Sequence, residues 1–145
     1  KGTASGSMLY VYNAPPSYPG FYNIPDDYGN LGVRITSTSY SDGCNIGYNT
    51  LAKMLDQQVR DYPSLMHVFS AGNDGNSNCG YGAGPGLGNI TGGHKMGKNV
   101  ITVGMVGWND DLSDISSRGP AHDGRIKPDV VAKGRDVYST INPNT

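Results

Sequence analysis

Asn73 is the residue best placed by its surroundings to do chemistry. It stands in HVFSAGNDG, residues 67–75, where an apolar run passes straight into Gly-Asn-Asp-Gly. Gly, Asn and Asp are the ordinary residues of a reversing chain, so a plain turn is one reading. The other is functional. A side-chain amide between flexible residues at the end of a buried strand is a hydrogen-bond donor that can be aimed at a ligand.

Other chemistry-bearing residues offer less. Gly92-Gly93-His94-Lys95-Met96-Gly97-Lys98-Asn99 approaches a phosphate-cradling loop. That loop needs Ser or Thr after its lysine and a strand before its first glycine, and both are missing, so nucleotide binding is set aside. His67, His94 and His122 share no metal-ligand spacing. His67, inside an apolar run, reads as a neutral core histidine with one satisfied nitrogen, and the other two read as loop residues. No Gly-x-Ser-x-Gly elbow occurs, and the serines of GTASGSM precede a strand candidate with no helix to position a nucleophile. Asn89-Ile90-Thr91 fits the glycosylation sequon, a pattern short enough for chance to explain. Cys44 and Cys79 lie in the loops SDGCNIG and GNSNCGYG, without the paired spacing of a zinc site. Two free thiols and one loop-stapling disulfide both fit them.

The elements that must position these residues follow from periodicity. MLYVY (8–12) is a strand candidate, and the prolines at 15, 16, 19 and 25 forbid a long helix or ladder after it. VRITSTSY (33–40) alternates and is β-branched, which predicts a strand. Leu51, Leu55 and Val59, with Ala52 and Tyr62, share one helical face, with Asn49 as N-cap and Pro63 as stop. LMHVFSA (65–71) is a continuous apolar run, as expected of a strand covered on both faces. VITVGMVG (100–107) is another buried strand, and KPDVVAKG (127–134) a short one. Strand, helix, strand, strand is the grammar of a parallel α/β sheet, whose ligands bind beyond the carboxyl ends of the strands. Asn73 falls at such an end.

The bulk numbers agree with one loop-rich domain. The chain has 145 residues with Gly 22, Tyr 10, Pro 9 and 36% hydrophobic residues. Glycine is at roughly twice its average usage, without the three-residue period of collagen. A net charge of -1 provides no footprint for nucleic acid or an anionic membrane. No apolar run approaches the roughly 20 residues that span a bilayer, and no signal segment opens the chain.

Taken in order, five segments resemble the middle of a subtilisin-like serine protease (subtilase) catalytic domain. GTASGSMLYVY is similar to the stretch after that family's catalytic-histidine helix, and RITSTSYS to its substrate-binding edge strand. HVFSAGNDG resembles the strand and turn bearing the oxyanion-hole asparagine. NVITVGMVGWNDDLSDISSRGP and IKPDVVAKGRDVYST are similar to the two passages that follow it. The resemblance covers nearly the whole chain. It implies a three-layer αβα architecture, a parallel sheet flanked by helices, incomplete here because residues 1–145 would be a partial catalytic domain.

By that resemblance, Asn73 is the oxyanion donor, Ser39, Tyr40 and Ser41 offer backbone groups to an extended substrate, and Ser70, Ala71 and Gly72 form the opposite pocket wall. Small residues on both walls imply a roomy pocket suited to a large apolar side chain. Cys44 and Cys79 would lie just past the two walls, where a disulfide would tie the pocket loops together. The family's catalytic Asp, His-Gly-Thr-His and Gly-Thr-Ser-Met segments are not among the 145 residues, so the piece alone is expected to be inactive. Two departures matter. Ser41 stands where the family has glycine, and the helix expected near 14–30 is hard to find. No cofactor is implied; calcium is common in the family, but no oxygen cage can be assigned. The partners implied are a polypeptide substrate and the remainder of the catalytic domain, with no nucleic acid or membrane. Self-association through an exposed sheet edge is a further expectation, and the location is secreted or cell-surface. The rival reading is a non-catalytic peptide-binding domain that keeps the same sheet.

Overall fold

The structure, a computed structural model, describes residues 4–12 and 19–138. The chain divides into two compact units, Lys1–Val33 and Arg34–Thr145.

The first unit holds two short helices, α1 (Pro19–Tyr22) and α2 (Ile24–Asn30). α1 begins on Pro19 and α2 carries Pro25 as its second residue, both in the first turn, where proline's fixed φ suits the helix and its missing N–H costs nothing. Asp26 and Asp27 favour the positive end of α2. The proline-rich stretch therefore forms no long helix but does start two short ones. MLYVY forms no strand: Met8, Leu9 and Val11 are 79%, 81% and 80% exposed. Alternating side chains are not sufficient for a strand, which also needs a partner ladder.

The second unit is built on four parallel strands in the order β1 (Ile35–Thr38), β2 (Met66–Ser70), β3 (Ile101–Val106) and β4 (Val130–Lys133). Ile35 pairs with Met66, Val68 with Ile101, and Val103 with Val130, so these side chains share one face. Helix α3 (Thr50–Asp61) and a 3-10 helix (Gly93–Met96) pack on the other. Asn49 caps α3 by accepting from the Ala52 N–H at 3.1 Å, and the helix closes before Pro63.

Two expectations about burial are corrected. The buried stripe of α3 runs through Ala52, Leu55 and Asp56, with Leu51 only half-buried. Asp56 tolerates burial because its carboxylate accepts from Tyr48 Oη, Lys98 N and Asn99 N at 2.7–2.9 Å. And β2 is covered on one face only among the described residues. His67 and Phe69 are buried beneath the helices, whereas Met66 on the opposite face is exposed. All of β4 is exposed.

Candidate active site

A groove of about 330 Å³ runs over the face of the sheet that bears Val68, Val103 and Met105 and reaches the carboxyl ends of the strands. Ser39 after β1, Ser70, Ala71, Gly72 and Asn73 at the end of β2, and Gly134 after β4 all line it. Residues from the two predicted walls thus meet at one opening. Asn73 is exposed.

The turn that carries Asn73 is fixed by its neighbours. Gly72 has φ +117°, and a Cβ there would collide with Thr91 and lie 2.8 Å from Ser117 Oγ. A Cβ on Gly75 would run into the carbonyls of Asp114 and Ser116. Ser117 N donates to Gly72 O at 3.0 Å, and Ser117 Oγ accepts from Asp74 N at 3.0 Å. Gly75 N donates to Ile115 O at 3.1 Å. The Ser-Ser-Arg-Gly-Pro segment is therefore a clamp on the asparagine turn. Fully buried Asn89 adds a second brace. Its amide donates to Gly75 O and Ser77 O, and its Oδ1 accepts from Arg118 N at 2.7 Å. That burial explains the sequon as packing.

The residues of the first wall diverge. Ser39 is exposed in the groove. The Tyr40 ring turns inward and stacks on His94, with centroids 4.5 Å apart, and burial pushes its phenol up to about 12. Ser41 Oγ donates to Thr91 Oγ1 at 3.1 Å. A serine stands here because its hydroxyl has a partner beside the groove. Beyond the walls, Cys44 and Cys79 form a disulfide with Cα atoms 5.6 Å apart.

The histidines fall into three environments. His67 is buried, with Nδ1 2.8 Å from Thr36 Oγ1, and burial lowers its pKa to about 4. His94 lies in the 3-10 helix and is fully buried, which corrects the expectation of a loop residue. Burial, aided by the charge of Lys95, lowers its pKa to about 3. His122 is an exposed loop residue whose ring lies tilted against Tyr81, with centroids 4.9 Å apart. Lys95, dismissed with the phosphate-loop pattern, is fully buried, and its Nζ donates to Thr91 Oγ1 at 2.7 Å. Sequence reasoning missed Thr91, Lys95, Asn89 and Ser117. Buried polar residues within a glycine-rich passage were the available signal.

A parallel sheet with a Ser-Ala-Gly-Asn turn at its carboxyl edge, clamped by a Ser-Ser-Arg-Gly-Pro segment, defines a subtilisin-like α/β domain. The subtilase family model matches residues 1–145, and the chain belongs to that family. Among solved structures it is similar to the prenylagaramide maturation protease PagA, with TM-score 0.52 and 16% identity, covering 77% of this chain and 35% of that one. It is equally similar to the S218A mutant of the protease domain of PatA, with TM-score 0.52 and 17% identity over the same shares. At these identities the likeness is one of fold. The chain spans about a third (35%) of the length of both.

Proposed function

We propose that the protein to which these residues belong is a secreted serine endopeptidase, and that this portion supplies the oxyanion donor and the substrate walls. One observation carries the reading: Asn73 and Ser39 line the same groove at the carboxyl edge of a parallel sheet. An extended peptide would lie along the backbone of Ser39, Tyr40 and Ser41, adding a strand to the edge. The side chain before the cleaved bond would enter between that wall and Ser70, Ala71 and Gly72. Its carbonyl then falls next to Asn73.

Attack on that carbonyl places negative charge on its oxygen. The Asn73 amide donates to the oxygen as the charge grows, and the clamp around residues 72–75 means little reorganisation is needed at that moment. An aspartate in the same place would repel the charge. The acyl-enzyme step itself requires a serine nucleophile, a histidine base and an orienting aspartate, which this reading places outside the 145 residues. The piece alone is then inactive, because oxyanion stabilisation and binding without a triad leave little rate. The Cys44–Cys79 disulfide suits an oxidising compartment.

The test uses the full-length protein with a serine-reactive fluorophosphonate and a chromogenic peptide library. Covalent labelling together with cleavage is the expected result. Peptide binding without labelling or cleavage would instead favour a non-catalytic peptide-binding domain.

A further inference from the structure

Thr91 is buried and ties the two wall segments together from behind. Its N–H donates to Ala71 O at 3.1 Å, its hydroxyl oxygen takes the Ser41 hydrogen bond, and Gly92 N donates to Gly43 O at 3.0 Å. Directly behind it lies the Lys95 ammonium, fully buried. Lys95 makes a 2.7 Å hydrogen bond to Thr91 Oγ1, and among the described residues no carboxylate oxygen lies within the 4.0 Å of an ion pair. Asp74 contributes only a longer-range attraction. A buried cation normally has a paired anion, because removing it from water otherwise costs several kcal/mol. This one has a neutral hydroxyl that leads to the exposed Ser41.

We propose that Lys95, acting through Thr91 and Ser41, makes the space between the walls select an acidic substrate side chain, glutamate in particular. The inference rests on the peptidase reading above and deepens it. In the structure Thr91 Oγ1 accepts from both Lys95 Nζ and Ser41 Oγ, and donates weakly to Ala71 O at 3.4 Å. When a carboxylate enters, two hydroxyl rotors turn. Lys95 still donates to Thr91, Thr91 donates to Ser41, and Ser41 donates to the carboxylate. No proton is transferred. Each bond in such a chain polarises the next, so the buried charge is felt at its outer end. The small walls admit a long side chain, and the charge behind Thr91 favours an acid at Ser41 over the apolar residue that wall size alone suggests. Lys95 is a positioning residue here, acting on the substrate through two others.

The experiment compares kcat/KM of the full-length protein for paired peptides differing only by Glu or Gln before the cleaved bond. Charge attraction across two hydroxyls predicts a Glu preference of about tenfold. Lys95→Met should bring the ratio close to one. Thr91→Val, which keeps the lysine and the shape of the residue, and Ser41→Ala, at an exposed position, should do the same. A wild-type ratio near one, or a ratio that survives both Thr91→Val and Ser41→Ala, overturns the proposal while leaving the peptidase reading intact. Failure to cleave any peptide overturns the peptidase reading, and this inference with it.

Discussion

Gly72 and Thr91 are in such close contact that no side chain fits between them. A Cβ on Gly72 would overlap Thr91 and press on Ser117 Oγ at 2.8 Å, and the backbone there has φ +117°. Two penalties would therefore add in Gly72→Ala: overpacking and a left-handed conformation. Together they should destabilise the fold by about 2 kcal/mol or more. Denaturant titration of the wild-type and variant chains measures it, and an unchanged midpoint would show that the turn is not clamped as described.

The oxyanion reading gives Asn73 a signature that separates chemistry from structure. Its side chain is exposed, so Asn73→Ala should alter stability by less than about 0.5 kcal/mol. In the full-length protein the same change should lower kcat by about 10²–10³ with KM nearly unchanged. That range comes from loss of such a donor in another member of the family and is carried over. A variant with wild-type kcat would remove Asn73 from the mechanism.

What the sequence revealed and what it hid divide along physical lines. Asn49, the span of α3 and Pro63 were legible because caps, periodicity and proline act locally. So were the four strands of the second unit, and with them the turn that places Asn73 at an edge. The burial of Asp56 in place of Leu51 was not, because it depends on distant backbone partners. Local signals could not show that MLYVY lacks a partner ladder, or that Met66 faces an uncovered side of β2. Lys95 was hidden for a related reason. A lysine reads as surface until the packing of the 3-10 helix Gly93–Met96 buries it. The brace from Asn89 to residues 75, 77 and 118 joins segments far apart in the chain, and no spacing rule encodes it.

The disulfide should matter for stability. Cys44 and Cys79 are 35 residues apart, and closing a loop of that length removes unfolded-state entropy worth about 4 kcal/mol. Cys44→Ser should lower the unfolding midpoint accordingly, and reducing agent should have no further effect on that variant. Mass spectrometry of the untreated protein after alkylation checks the premise. Two alkylated thiols would reject it.

Acid should weaken the fold through His67 and His94. Burial lowers their pKa values to about 4 and about 3, while an unfolded imidazole titrates near 6.5. Between pH 6.5 and those lower values the unfolded chain binds protons that the folded chain refuses. Stability therefore falls as pH drops through that window, by a few kcal/mol in order of magnitude, and the effect levels off below about pH 3. Above pH 6.5 neither residue contributes. His67→Phe should flatten part of the slope when urea midpoints are compared at pH 7, 5 and 4. Parallel wild-type and variant curves would rule out His67 as a source of it.

The open side of the sheet carries the last prediction. Among the described residues no strand pairs with β1 on the side away from β2, which leaves a row of backbone donors and acceptors unpaired there. Ile35 at that edge and Met66 beside it are exposed on the face that α3 does not cover, which continues through half-buried Val68, Val103 and Met105 to exposed Val130 at the far edge. An unpaired edge bordering an apolar face is a template for another chain. The 145 residues expressed alone should therefore self-associate, with a sedimentation coefficient that rises with concentration. Ile35→Lys introduces a charge on both the edge and the face, and should shift the population toward monomer without lowering the unfolding midpoint. A wild-type chain that remains monomeric up to about 100 μM would mean that the edge and face are protected by something other than a second copy.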